Sequence, residues 1–144
     1  MQQNMEVPVN QVKKIITSGG AAYGMFALMG EPAIVEMIGY AGLDFVLIDT
    51  EHSGNTTEQV ANMLRAADVA QTTSFVRVTT NAPELILRAL DAGAGGVLVP
   101  QVNTAGEAAA AVRAARYAPQ GERGLAGVVR AARYGFIPMP QYLT

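Results

Sequence analysis

The sequence predicts an α/β protein in which successive βα units build a parallel sheet. Three observations predict it. Short apolar runs rich in β-branched residues alternate with amphipathic segments of helical length. The apolar runs, VLI and GVLVP among them, are near-continuous, the pattern of parallel strands buried on both faces by helices. Helix-starting and helix-ending residues separate the two kinds of segment four times in succession.

Each element has its own local reason. Val9–Thr17 reads as a helix ahead of the first strand, Ala22–Leu28. Pro32 opens a helix to Tyr40, because proline's fixed φ and missing N–H suit a first helical turn. Phe45–Ile48 is the second strand. Thr56 or Thr57, with Glu58 close behind, caps a helix over Thr57–Ala70. Within it Val60, Met63, Leu64 and Ala67 recur at i, i+3, i+4 and i+7, one apolar stripe for a sheet. Ser74–Val78 is the third strand, and Pro83 opens a helix to Ala92 that Gly93 ends. Gly96–Val99 is the fourth strand, and Asn103 or Thr104 caps a helix over Ala105–Arg116. Tyr117 to Gly135 (YAPQGERGLAGVVRAARYG) lacks periodicity and reads as a long functional loop. Phe136 to Thr144, with two prolines, begins another helix. A doubly wound sheet and a barrel both fit this pattern.

Composition narrows the function classes. The 144 residues suffice for one domain with a real core but fall short of the ~250 typical of a (β/α)₈ barrel. Half the residues are apolar and 15% are charged, which excludes a disordered chain. A net charge of −2, with no Lys/Arg cluster, argues against nucleic acid as a partner. With no cysteine there are no disulfides or thiolate metal sites. Met1 to Asn10 lacks the basic and apolar regions of a signal peptide, and no apolar run reaches the ~20 residues of a membrane span. A cytoplasmic protein is expected.

Sites in parallel α/β folds form where strands end. The most loaded of these loops is Asp49-Thr50-Glu51-His52-Ser53-Gly54-Asn55, with two carboxylates and the sole histidine. Histidine is the natural general base near neutral pH, and the plain alternative is a surface imidazole without a task. Arg77 interrupts the apolar strand Phe75-Val76-Arg77-Val78. A guanidinium there either clamps a substrate carboxylate or forms a structural ion pair with Asp49 or Glu51. Asp91 sits at a helix end, where the dipole disfavours an acid, so it calls for an external partner; alternatively it is simply exposed. Arg123, Arg130 and Arg133 suit interface ion pairs better than anion binding. Gly93-Ala94-Gly95-Gly96 and Gly19-Gly20 precede strands and so are not nucleotide loops.

These segments carry a family resemblance. DFVLIDTEHSGNT resembles the LIDxEH segment of the HpcH/HpaI aldolases, and the likeness continues through FVRV, LDAGAGGVLVPQVNTAGEA and RYAPQGERGLAGVVRAARYG. It covers essentially the whole chain in order, and it implies the N-terminal half of a TIM (β/α)₈ barrel, about four βα units. The implied reaction is metal-dependent retro-aldol cleavage of 4-hydroxy-2-oxo acids to pyruvate and an aldehyde. The resemblance implies His52 as base, Arg77 as the clamp on the pyruvyl carboxylate and enolate, and Asp91 as the acid paired with the histidine. Asp49 and Glu51 are supporting residues, at most near metal-bound water. It further implies Mg²⁺, Mn²⁺ or Co²⁺ as cofactor, with ligands beyond Thr144 and no metal ligand in this chain. It implies a homo-oligomer, a hexamer of domain-swapped dimers, as the assembly. The alternative is a non-catalytic truncated half-barrel acting as an assembly or interaction module. A phosphate-binding isomerase lacks support, since such sites use the seventh and eighth strands.

Overall fold

In the computed structural model, which describes residue 7 and residues 9–143, four parallel strands pair in chain order. They are β1 (Gly24–Ala27), β2 (Phe45–Asp49), β3 (Thr73–Arg77) and β4 (Gly96–Leu98). The helices are α1 (Gln11–Thr17), α2 (Pro32–Tyr40), α3 (Thr57–Val69), α4 (Pro83–Asp91), α5 (Ala105–Ala115) and α6 (Met139–Tyr142). A 3-10 turn covers Arg130–Gly135 inside the segment expected to be loop. The reading of Met1 to Asn10 falls mostly outside the described residues, as does Thr144.

The capping chemistry sets the helix boundaries. Thr56 accepts from the Gln59 N–H while the Gln59 side chain accepts from the Thr56 N–H, a complete capping box. Thr104 and Glu107 repeat it at α5, where the N–H groups of Asn103 and Thr104 donate to the Glu107 carboxyl and hold it below its ordinary range. Asn10 caps α1, so that helix starts two residues later than expected. Gly93 closes α4 with a φ of +95°, a conformation that strains any side chain.

The register sorts the strands into two faces. Ala27, Ile48, Val76 and Val97 pair across the sheet, and so point to one side. That side meets Val35 and Ile38 of α2, Met63 and Leu64 of α3, and Ile86 and Ala89 of α4 in a single core. The stripe of α3 expected to face the sheet does so: Val60, Met63, Leu64 and Ala67 are all buried. The other side presents Phe26, Leu47 and Phe75, with Asp49, Arg77 and Leu98 at the strand ends.

This second face corrects one expectation. The apolar runs were read as strands buried on both faces by helices; Val46, Leu47 and Ile48 are all buried, yet the helical core lies on one side and the outer strands are open on the other. The two outer strands show the consequence. Three of the four β1 residues are exposed, and Leu98 of β4 is exposed as well. The first strand is also shorter than the expected Ala22–Leu28, because only one neighbour pairs with it. On the open face Phe45 and Phe75 meet edge to face, with centroids 5.6 Å apart. Each ring lies over a glycine of a flanking strand. A Cβ at Gly24 would stand 2.4 Å from Phe45, and one at Gly96 would stand 2.9 Å from Phe75.

Candidate active site

Asp49 and Arg77 are register partners at the C-terminal ends of β2 and β3, so the sheet itself brings them side by side. Arg77 Nε donates to Asp49 Oδ1 at 2.9 Å, and Nη2 donates to Asp49 Oδ2 in a bidentate pair. The Asp49 side chain is fully buried, and a buried carboxylate persists only when paired and hydrogen-bonded. The Arg77 guanidinium holds the Asp49 carboxyl at about 2, against an ordinary 3.8, despite the opposing effect of burial. The N–H groups of Glu51 and His52, donating to Asp49 Oδ1 at 2.9 and 3.3 Å, lower it further. Asp49 in turn pushes Arg77 up.

The turn after β2 is wound around the same aspartate. Ser53 Oγ and Asn55 Nδ2 both donate to the Asp49 carbonyl, at 2.5 and 2.9 Å. Thr50 N–H and Oγ1 donate to the Arg77 carbonyl, at 3.0 and 2.6 Å, tying the turn to β3. Glu51 is then placed 3.4 Å from Arg77 Nη1, and His52 Nε2 lies 3.8 Å from the same Glu51 oxygen. The His52 side chain is 67% exposed, so its backbone is anchored while its imidazole stays open to solvent and ligands. The Arg77 guanidinium lies over the Phe26 ring at 5.0 Å.

Four of the five residues singled out from the sequence therefore meet: Asp49, Glu51, His52 and Arg77. The ion-pair alternative for Arg77 is realised with both carboxylates. Asp49 was expected in the loop, but it is the last residue of β2, held there by its pairing with Arg77. Asp91 does not join them. It ends α4, which runs back from the C-terminal end of β3 to the N-terminal end of β4, and Arg123 Nη2 donates to it at 2.6 Å. Arg123, Arg130 and Arg133, expected at an interface, pair within the chain instead, with Asp91 and Asp68. The roles of Phe26, Thr50, Ser53 and Asn55 were not singled out; hydroxyl and amide side chains just past a strand end are turn formers, which is the signal that could have found the last three.

The residues present do not fit a divalent cation. Both Asp49 oxygens are engaged by Arg77, and Glu51 faces the same guanidinium. Among the described residues no group of three His, Asp or Glu side chains is placed to hold a metal. No helix among the described residues is long and apolar enough to cross a membrane.

A family model described as HpcH/HpaI aldolase/citrate lyase matches residues 22–133. The chain is 40% identical over 134 residues to a pyruvate aldolase of Rhizobium etli, covering 93% of this chain and 53% of that protein. It is 39% identical to a 4-hydroxy-2-oxovalerate aldolase of Novosphingobium aromaticivorans, covering 93% of this chain and 51% of the relative. The crystal structure of an HpcH/HpaI aldolase/citrate lyase family protein from Burkholderia cenocepacia superposes with a TM-score of 0.85 at 38% identity, covering 94% of this chain and 55% of that one. The chain thus spans about half the length of the relatives it matches.

Proposed function

The chain belongs to the HpcH/HpaI aldolase/citrate lyase family, and we propose that it carries the acid–base and carboxylate-binding side of a pyruvate-aldolase site. The single observation that supports this most is the buried Asp49–Arg77 pair with the open His52 beside it. In this reading the four strands are the N-terminal half of a TIM barrel. The open face carrying Phe26, Phe75 and Arg77 is its interior, and His52 and Arg77 sit at the strand ends where such barrels place their chemistry.

The residues have distinct tasks. Of the five N–H groups of Arg77, two are spent on Asp49. Nη1 also faces Glu51 at 3.4 Å, and the donors not turned to Asp49 or Glu51, on Nη1 and Nη2, are left for the planar carboxylate of a 2-oxo acid and for the charge of its enolate. Asp49 fixes the guanidinium plane, and Phe26 supports its flat side. His52 takes the proton of the substrate's 4-hydroxyl. The C3–C4 bond then breaks, its electron pair passes to the enolate of pyruvate, and the aldehyde departs. Asp91 lies at the other end of the strands from His52, so the acid–histidine pairing that the resemblance implies requires Asp91 from a second copy of the chain. A homo-oligomer is part of this proposal. The divalent metal expected of the family would be held by residues outside this chain.

The test is pyruvate release from 4-hydroxy-2-oxo acids with added Mn²⁺ or Co²⁺, by this chain and by a version extended through eight strands. Activity in the extended form, lost in His52→Ala and Arg77→Lys with the fold intact by circular dichroism, is the expected result. No pyruvate from the extended form would overturn the reading. The second reading, a non-catalytic module, is favoured by the exposed apolar face at Met25, Phe26 and Leu28. Inactivity of both forms together with stable self-association would support it.

A further inference from the structure

We propose that the cleft at the N-terminal ends of β3 and β4 is a second binding site, for a small oxyanion, with Arg123 as its principal ligand and Arg130 and Arg133 beside it. The cleft encloses about 450 Å³ and is lined by all three arginines. That volume suits a small organic acid or inorganic oxyanion. It lies at the opposite end of the sheet from Arg77.

Arg123 carries the argument. Its side chain is only 8% exposed. One face of the guanidinium is covered by the Tyr117 ring, 4.5 Å away, and Nη2 is held by Asp91. Tyr117 is itself pinned by its hydroxyl, 2.9 Å from that of Tyr142, which also lines the cleft. Burial and that hydrogen bond push the Tyr117 hydroxyl up, so it stays neutral. In this rigid setting Arg123 Nε is buried without a hydrogen-bond partner among the described residues. A charged donor left bare in a dry site forfeits its hydration without return, and an arginine cannot shed its proton to escape. Arg123 lines the cleft, and a small shift of its side chain that opened Nε to the cleft would let an anion oxygen satisfy it.

Charge points the same way. Three guanidiniums line the cleft against the two carboxylates that pair with them, Asp68 and Asp91. One oxygen of Asp68 serves both Arg130 and Arg133, at 2.6 and 2.8 Å. Among the described residues one positive charge of the cluster is therefore unmatched. Arg130 is held in place as well. Nη1 donates to the Ala92 carbonyl at 2.8 Å, and a Cβ at Gly93 would stand 2.4 Å from that nitrogen. The absent side chain at Gly93 is the space in which the guanidinium lies.

Carboxylates and sulfate-like groups share this chemistry, and the experiment separates them. Malonate and sulfate are each titrated into the chain by calorimetry at constant ionic strength, with chloride as the reference. Sulfate stabilises many proteins by exclusion from their surface, so direct heat and the effect of variants are the readouts. The expected result is saturable binding of at least one probe, weakened about tenfold by Arg123→Lys, which keeps the charge but loses the Nε donor. The exposed Arg65→Lys should leave it unchanged. Binding of malonate alone assigns a carboxylate ligand, and binding of sulfate alone a tetrahedral one. Heat no larger than with chloride, or equal affinity in Arg123→Lys, overturns the site. If Arg123→Lys fails to fold, Arg133→Gln must weaken binding instead, and an unchanged affinity there also overturns it. The site does not rest on the aldolase reading, so inactivity in pyruvate release would leave it standing.

Discussion

The two ends of the sheet use the same ion-pair chemistry to opposite effect. At the C-terminal end one guanidinium, Arg77, sits between two carboxylates, Asp49 and Glu51. At the N-terminal end three guanidiniums sit around two carboxylates. The first cluster arises from residues in register on adjacent strands, and its buried carboxylate is fully satisfied. The second is assembled by the segment after α5 folding back on the ends of α3 and α4, and it leaves a buried donor unsatisfied. A saturated pair presents its spare donors outward, whereas an unsaturated one draws a ligand inward. That difference separates a scaffold that positions Arg77 from a cleft that calls for an anion.

Breaking the saturated end should cost most. Arg77→Ala leaves Asp49 buried and uncompensated, and a broken buried pair costs about 3–5 kcal/mol. The urea midpoint should fall accordingly, and an unchanged midpoint would show that Asp49 is not sealed from water. The same pair predicts an acid limb. Asp49 titrates near 2 in the folded chain and near its ordinary 3.8 when unfolded. Because the folded value is the lower one, its stabilisation is complete above about pH 4 and is lost as pH falls toward 2. In Asp49→Asn the stability should lose this steep dependence between pH 4 and 2; an unaltered acid limb would assign it to other carboxylates. At the opposite end Gly93→Ala forces a side chain into left-handed backbone and against Arg130. We expect a cost of about 1–3 kcal/mol and weaker oxyanion binding, read by urea unfolding and calorimetry. A neutral Gly93→Ala would mean that Arg130 moves freely and that the cleft is not built.

The contrast also explains what the sequence could disclose. Elements whose limits depend on neighbouring residues were legible: Pro32 and Pro83 start their helices, and of Asn103 and Thr104, both read as candidate caps, Thr104 caps α5. The stripe of α3 was legible because one helix face meets one sheet face. Coverage of the second face was not, since an apolar run such as VLI reads alike against helices or against an open interior. His52 and Arg77 stood out as a lone imidazole and a charge in an apolar strand; register set Arg77 beside Asp49, and the turn that follows Asp49 brought His52 close. For Asp91 the helix dipole pointed to a partner without identifying it. That partner, Arg123, lies 32 residues on in a segment with no period, where only the folded path brings the two together. The unmatched charge of the cleft has no sequence signature, because it depends on which arginines share Asp68.

The smallest expected effect makes the sharpest division between the two ends. Arg133 has a side chain 34% exposed and shares Asp68 with the more deeply buried Arg130. A surface-type pair of this kind contributes roughly 0–1 kcal/mol, so Arg133→Ala should scarcely move the unfolding midpoint. It leaves Arg130 bonded to Asp68 and no buried charge orphaned, unlike Arg77→Ala. Yet Arg133 belongs to the positive excess of the cleft, so oxyanion affinity should fall while stability holds. Stability lost together with affinity would make the arginine cluster a structural clasp. Affinity lost alone would mark the N-terminal end as a place where charge is held for a ligand.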